Sequence, residues 1–252
     1  MSEDAMRIED YLSQGGRLTA PGNVPPRYRA ELMRLMAIFV DSQLAGAAGF
    51  ATMINAGPGV KERIAAARIV LEKNHHAEKV LHIMAEFGAD TARYVQHHPW
   101  EDRLPRDADI GARRVHPDMR LPVFNAPLEG WADAVTMNLL MGLAVGVLLE
   151  DYRGLSYQPL AETFREIEPV ERRHAELAAE GMAALAAGDA VLQPAVDYWW
   201  PRVSAGFGSE ETGRDARLRG FGLRRASNSE LRSRWEDRAR TALAEYTLSA
   251  PA

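Results

Sequence analysis

Apolar residues recur every three to four positions over four long stretches of this chain, and that period constrains its fold more than any other feature. The stretches run from about Tyr28 to Ile54, from Val60 to Phe87, from Leu128 to Asp151, and from the turn at Arg153-Gly154 to Ala187. Turns rich in glycine and proline separate them, and no segment alternates convincingly between apolar and polar residues, as a half-buried strand would. The sequence therefore predicts an all-α protein.

The order of these helices predicts a ferritin-like four-helix bundle with additional helices at its C-terminal end. A long connection, about Val95 to Asn125, separates the second helix from the third, as that topology requires. Further helices are predicted over Val191 to Trp200 and Asn228 to Thr247, with Asn228 or Ser229 as the cap of the last. We divide the chain into an N-terminal arm, residues 1–26, and a single helical domain, residues 27–252.

Composition excludes several classes of function. The 252 residues carry a net charge of −5 and no cysteine, so we expect no nucleic-acid partner and no disulfide or thiolate chemistry. The N-terminal twenty residues lack the apolar run of a signal peptide. The longest apolar stretch, Ala134 to Leu149, is interrupted by Thr136 and Asn138 and is predicted to be a buried helix that falls short of a membrane span. We expect a cytoplasmic protein with no membrane partner.

Two overlapping pairs on the second helix, Glu72/His75 and Lys73/His76, compete for the inward face. The series through the second pair is Ala66, Ile69, Lys73, His76, Val80, Ile83 and Phe87. The series through the first pair is Lys61, Ala65, Arg68, Glu72, His75, Lys79, His82 and Glu86. Only the series through Lys73 and His76 is largely apolar, so these two residues are predicted to face the core. Glu72 and His75 are predicted to lie on the outer surface, with Arg68 placed to pair with Glu72 in solvent.

The fourth helix carries a second candidate pair, Glu171 and His174, on its apolar face. Its inward series reads Phe164, Ile167, Glu171, His174, Ala178, Gly181 and Leu185. A buried glutamate needs a cation, a metal ion or a proton as its partner. Pro169 lacks a backbone donor and is predicted to begin or kink the helix nearby. The alternative is that Glu171 and His174 only satisfy each other and their neighbours in the core.

Several short motifs together resemble those of a known family. They are Tyr28-Arg29, Phe124-Asn125 before Trp131-Ala132-Asp133, Tyr198-Trp199-Trp200-Pro201, and Asn228-Ser229-Glu230-Leu231-Arg232. They resemble the phenylacetic acid catabolic proteins, and specifically the catalytic subunit of phenylacetyl-CoA epoxidase, from about residue 28 to residue 247. The resemblance implies a ferritin-like fold, a non-haem di-iron centre that epoxidises an aromatic acyl-CoA ring, and a complex with a related non-catalytic subunit.

The resemblance also implies where the iron ligands would lie. The family pattern is one carboxylate on the first helix, Glu-x-x-His on the second, one carboxylate on the third and Glu-x-x-His on the fourth. Here Gln43, Lys73 and Gly142 occupy three of the carboxylate positions, and the fourth helix alone keeps its full pair. The expected site is therefore a di-iron site in which most of the carboxylates are substituted.

Six residues form the predicted site. They are Lys73, His76, Glu171, His174, Gln43 and Asn138, with Lys73 as counter-charge to Glu171, and Gln43 and Asn138 as hydrogen-bonding neighbours. We expect no cofactor and no metal. The alternative is non-haem iron, held as a single ion by His76, Glu171 and His174, a two-histidine, one-carboxylate set.

Three functions remain open at this point. The first is metal-independent chemistry on an aromatic or acyl-CoA-type small molecule, with Lys73 as an acid–base or electrostatic group. The second is a non-catalytic partner or scaffold subunit in an oxygenase-like complex, and the third is a metal-dependent monooxygenase with a rearranged site. We expect a homo-oligomer or a hetero-oligomer with a related helical subunit. The basic run from Arg214 to Arg225 is interpreted as a solvated face rather than a clamp for CoA phosphates.

Overall fold

A computed structural model describes residues 8–188, 190–209 and 213–251, and in these residues the regular secondary structure is helical, with no strand. The described helices are α1 Ile8–Ser13, α2 Pro26–Ala51, α3 Val60–Glu86, α4 Thr91–Gln96, α5 Trp131–Tyr152, α6 Gln158–Ala187, α7 Gln193–Ala205, α8 Gly213–Gly220 and α9 Asn228–Ala244. Residues 1–7 of the predicted arm, and residues 189, 210–212 and 252 of the predicted helical domain, lie outside the described residues. The predicted all-α, ferritin-like bundle is confirmed.

The bundle is built from two pairs of consecutive helices. A short turn joins α2 to α3 and another joins α5 to α6, and each pair packs side by side along its length. Contacts between α3 and α6 bring the two pairs together, and α7 and α9 pack against α5. The interior between α2, α3, α5 and α6 is where the predicted site residues lie.

Helix α5 is the most apolar element of the chain. By length and composition alone it could cross a membrane, with a mean hydropathy of 1.8 over its apolar window, so the expectation that this stretch falls short of a span was wrong. Within the protein, 67% of that window is buried, because α6, α7 and α9 all pack against it. The prediction of a buried core helix is therefore confirmed.

Several helix boundaries differ from the sequence predictions. Helix α6 begins at Gln158 and passes through Pro169, because the apolar residues that precede the proline continue the buried face. Helix α2 ends at Ala51, and a 3-10 turn over Ile54–Ala56 follows it. Helix α9 is capped by Ser227, not by Asn228 or Ser229, since the Ser227 hydroxyl accepts from the Glu230 backbone in a capping box.

One buried carboxylate links two of the sequence motifs. Asp133, in the first turn of α5, accepts a hydrogen bond of 2.9 Å from the indole of Trp199 in α7. Its two oxygens also accept from the Arg106 guanidinium, at 2.8 and 3.0 Å. The carboxylate thus joins α5, α7 and the long connection, which explains why these residue types occur in both motifs.

Candidate functional site

The predicted register of α3 is confirmed. Lys73 and His76 are buried, whereas His75 is exposed to solvent. Both inward residues meet Glu171 of α6, which is 1% exposed, and Gln43 of α2 meets it from a third helix. A fourth helix, α5, also reaches this region, since its Gly142 lines the same small cavity as Lys73 and Glu171.

Glu171 is the centre of the arrangement, and each of its oxygens has two partners. Oε1 accepts from Gln43 Nε2 at 2.8 Å and from His76 Nδ1 at 2.9 Å. Oε2 lies 3.3 Å from His174 Nδ1 and 3.5 Å from the Lys73 ammonium. Every acceptor direction of this buried carboxylate is therefore occupied by a donor of the protein itself.

These partners decide the charge of Glu171. Burial alone would raise the pKa of its carboxyl, because a charged group loses its hydration in the interior. The Lys73 ammonium and the hydrogen bonds from His174 and His76 outweigh that effect and hold the pKa well below its ordinary value. Glu171 is thus a stable anion and a poor base near neutral pH.

Glu72 belongs to the site, contrary to the prediction from periodicity. Its side chain is 29% exposed, but its Oε2 lies 2.7 Å from Nε2 of His174 on α6. The predicted solvent pair with Arg68 is replaced by this contact. Glu72 lies at the edge of the inward stripe, and only the position of α6 brings an imidazole within its reach, so the sequence held no signal for it beyond the Glu-x-x-His match.

His174 bridges two carboxylates through its two ring nitrogens. Nδ1 faces Glu171 and Nε2 faces Glu72. An ionised carboxylate only accepts hydrogen bonds, so a ring nitrogen that faces one can bond to it only as a donor. The imidazole therefore links α3 to α6 through one carboxylate on each helix.

Asn138 does not take the place predicted for it. Its side chain forms no hydrogen bond with Glu171 or with the other described residues around it, and instead lines a small cavity of about 30 Å³. Lys73, Glu171 and Gly142 line the same cavity. Its lining is otherwise mainly apolar, and its volume is enough for one water molecule bonded to these few polar groups.

A second and larger cavity, of about 380 Å³, ends on the polar network. Gln43 and Lys73 form part of its wall, and that volume falls within the usual range of small-molecule sites. Most of its remaining lining is apolar, including Leu35, Ile38, Phe39, Phe124, Met141, Val145, Leu148 and Tyr152. The Oε1 atom of Gln43 is buried there without a hydrogen-bond partner. The cavity thus joins an apolar wall to a positive group at its inner end.

Arginines from separate segments also line the large cavity. They are Arg34, Arg114, Arg120, Arg214 and Arg224. Arg214 and Arg224 come from the basic run interpreted as a solvated face. Their side chains are 28% and 13% exposed and pair with Glu31 and Asp151, so that interpretation was wrong for these two residues. In the sequence these arginines were visible only as part of a run of basic residues. Their place in the cavity wall depends on α8 packing beside α2, which the sequence does not show.

Arg114 lies in a surplus of positive charge. Burial, and then the charges of Arg34 and Arg214, lower the pKa of its guanidinium. Asp41 and Asp118 offset this effect in part. Arg214 pairs with Glu31 at 2.9 Å and Arg120 pairs with Asp118 at 2.7 Å, so carboxylates already balance part of this positive charge. An anion in this part of the cavity would be attracted by Arg34 and Arg114, which also line it.

The donor set at Glu171 does not fit a di-iron centre. No group of three or more His, Asp or Glu side chains among the described residues is arranged to hold a metal ion. Lys73 places a positive charge 3.5 Å from the central carboxylate, and His174 uses both of its nitrogens in contacts with carboxylates. A side chain at position 142 would crowd α6, since a Cβ there would lie 3.0 Å from that of Ala175.

Comparison with known proteins agrees with the motifs and the fold. The family model described as phenylacetic acid catabolic protein matches residues 17–252, nearly the whole chain. A search of curated proteins found no significant match. The chain belongs to the phenylacetic acid catabolic protein family.

Proposed function

We propose that this protein binds an aromatic or acyl-CoA-type ligand in the large cavity and acts on it without a di-iron centre. One observation carries the proposal: an apolar cavity of about 380 Å³ joins a cluster of arginines to the buried Lys73 ammonium. Such a cavity matches an amphipathic ligand that has an apolar end and an anionic end.

The two ends of the ligand have separate environments. The aromatic or acyl end lies against the apolar wall, where each buried methylene contributes about 0.8 kcal/mol. The phosphates of a CoA-type ligand lie near Arg34, Arg114 and Arg214, where they relieve the repulsion among these guanidinium groups. Arginine suits this task because its planar fork donates two hydrogen bonds to one phosphate.

Lys73 is the group available to act on the ligand. Its contact with Glu171 is long, at 3.5 Å, so an ammonium N–H remains that can donate to a ligand carbonyl. An ammonium beside a thioester carbonyl stabilises negative charge that develops on the oxygen. Glu171 does not serve as the base, because its pKa is held well below the ordinary range. The donor set described above supports the absence of iron from this chemistry.

Titration calorimetry with an aromatic acyl-CoA, performed after chelator treatment, tests the proposal. We expect binding that weakens with salt and that falls about tenfold or more in Arg114→Gln, since a hydrogen bond to a charged group contributes about 1.5–3 kcal/mol. Arg173→Gln is the matched control, because Arg173 is half exposed on α6 and pairs with Glu176 and Glu180. Equal affinity in both variants would contradict the assignment, as would binding that requires stoichiometric iron.

A second candidate function, as a partner subunit in a helical complex, has its own supporting observation. Val60, Ile64 and Leu71 lie on one face of α3 and are 74%, 57% and 55% exposed. The described residues expose seven large apolar side chains, and these three share a single helix face. Exposed apolar patches of this kind mark interaction sites. A related helical subunit or a second copy of this chain would cover the face with a helix of its own.

Light scattering after size-exclusion chromatography tests this second candidate. Leu71→Glu should reduce the assembly to a smaller species while the helical signal in circular dichroism stays unchanged. Val191→Glu is the control, because Val191 is 81% exposed and lies outside this face. A monomeric wild-type chain that also fails to bind a co-expressed paralogous subunit would exclude the role.

A further inference from the structure

The three lysines of this chain have very different environments. Lys61 and Lys79 lie on the surface, with side chains 83% and 46% exposed, and each pairs with a glutamate of α6. The Lys73 side chain is 11% exposed and lines both the large and the small cavity. Its amine is therefore the one lysine nitrogen that a ligand in the cavity can meet.

The surroundings of that amine are apolar on the cavity side. Phe124, Met141 and Val145 line both cavities, as Lys73 does, so they surround the inner end where the two cavities meet. Phe39 adds a second aromatic ring to the wall of the large cavity. An uncharged aromatic group fits this inner end, because it packs against these apolar side chains without losing the hydration of a charge.

We propose that Lys73 reversibly captures an aromatic aldehyde as an iminium. The ammonium first gives one proton to solvent, and the neutral amine then forms a bond to the carbonyl carbon. The carbonyl oxygen leaves as water, taking one hydrogen from the nitrogen and one proton back from solvent, and the nitrogen keeps its third hydrogen. The positive charge returns to the nitrogen, so the step balances without an oxidant, a reductant or a metal. The inference goes beyond the proposed function, although it uses the inner end of the same cavity.

The electrostatics of the network favour this product over an amide. The iminium keeps its charge and one N–H, so Oε2 of Glu171 retains both its counter-charge and its hydrogen-bond donor. Acylation of Lys73 would instead form a neutral amide and leave the buried carboxylate without the ammonium that stabilises it. The same pairing that opposes metal binding therefore selects carbonyl capture at this nitrogen.

Reductive trapping tests the inference in the full-length protein. The protein is incubated with benzaldehyde and cyanoborohydride, digested, and mapped by mass spectrometry. We expect saturable labelling at Lys73 that exceeds labelling at Lys61 and Lys79, although both of these are more exposed. In guanidinium chloride the preference should disappear, since the unfolded chain has no cavity. Labelling at Lys73 that does not exceed that of the two surface lysines would overturn the proposal.

A variant and a competitor complete the test. Lys73→Arg retains the positive charge beside Glu171 but cannot form an iminium, so the saturable labelling should be lost. Benzyl alcohol, which fills the apolar end without a carbonyl, should compete with labelling of the wild type. The comparison among the three lysines within one wild-type sample stands even if the variant does not fold. Acyl-CoA binding without labelling would overturn this inference alone, and labelling without acyl-CoA binding would overturn the proposed function alone.

Discussion

Breaking the contact between Lys73 and Glu171 is the perturbation that tests the site most directly. The two side chains are 11% and 1% exposed and lie 3.5 Å apart. Lys73→Met removes the ammonium but keeps an unbranched side chain of similar length. Glu171→Gln removes the negative charge but keeps a side chain that can bond to Gln43 and the two histidines. Together the single and double variants form a double-mutant cycle.

The magnitude follows from the burial of the pair. Two unit charges separated by 3.5 Å attract by about 5 kcal/mol at an effective dielectric constant of about 20. Removing one partner of a buried pair typically costs ~3–5 kcal/mol, because the other charge remains desolvated. We therefore expect Lys73→Met to lower the free energy of unfolding by about that amount. The double variant should recover much of the loss, with a coupling energy of about 2–3 kcal/mol.

The chain offers a matched control in Lys79 and Glu166. Their atoms are closer, at 2.6 Å, but the side chains are 46% and 64% exposed. An exposed pair of this kind contributes about 0.2–1 kcal/mol despite the shorter distance, because water screens it. Both cycles are measured by urea unfolding at neutral pH and low salt, followed by circular dichroism.

The coupling energies of the two cycles are compared to test whether Lys73 is the counter-charge of Glu171. A coupling for the buried pair that is no larger than that of the surface pair would refute the argument that Lys73 is the counter-charge of Glu171. A Lys73→Met variant as stable as the wild type would refute this argument equally, because it would show that the Glu171 carboxylate does not need the ammonium.

Three further predictions concern stability. Gly142→Ala should lower the free energy of unfolding by about 1–3 kcal/mol, because its Cβ would lie 3.0 Å from that of Ala175. Gly146→Ala on the same helix meets open space and should raise the free energy of unfolding by up to about 1 kcal/mol. Equal effects of the two variants in urea unfolding would contradict the close contact between α5 and α6. The pKa of Glu171 is lowered in the folded protein, so its charge stabilises the fold above the ordinary pKa of 4.5, and this stabilisation is lost as the pH falls through the folded pKa. The free energy of unfolding, measured from neutral to acid pH, should therefore fall less in Glu171→Gln than in the wild type. Parallel curves of stability against pH for the two proteins would count against the lowered pKa. Tyr28→Phe should lower stability in thermal unfolding by about 0.5–1.5 kcal/mol, since it removes a buried hydrogen bond of 2.7 Å to Ser156 in the turn between α5 and α6. An unchanged melting temperature would show that this bond contributes nothing.

Periodicity was sufficient to predict the four long helices of the bundle and the inward register of α3. A helix with a three-to-four-residue repeat has only one face that can be buried, so the apolar neighbours of Lys73 and His76 decide where those two residues point. The same reasoning placed Glu171 and His174 in the core. It required no knowledge of the other helices, because each stripe is a local property of one helix.

Contacts between distant segments could not be predicted in this way. Glu72 lies at the edge of its stripe, and its carboxylate enters the network only because α6 places His174 within 2.7 Å of it. Asn138 is buried as predicted but faces the small cavity, since its direction depends on how α5 is rotated against α3 and α6.

The cavity is the feature that only the tertiary structure decided. Arg34, Arg114 and Arg214 come from three separate segments and show no common pattern in the sequence. They gather because the long connection and α8 pack beside α2, so their shared positive field exists only in the folded chain. The sequence determined which face of each long helix is buried, because that face follows from the local order of apolar side chains. The packing of whole helices determined which buried residues meet, because side chains more than a hundred positions apart become neighbours only when the bundle closes.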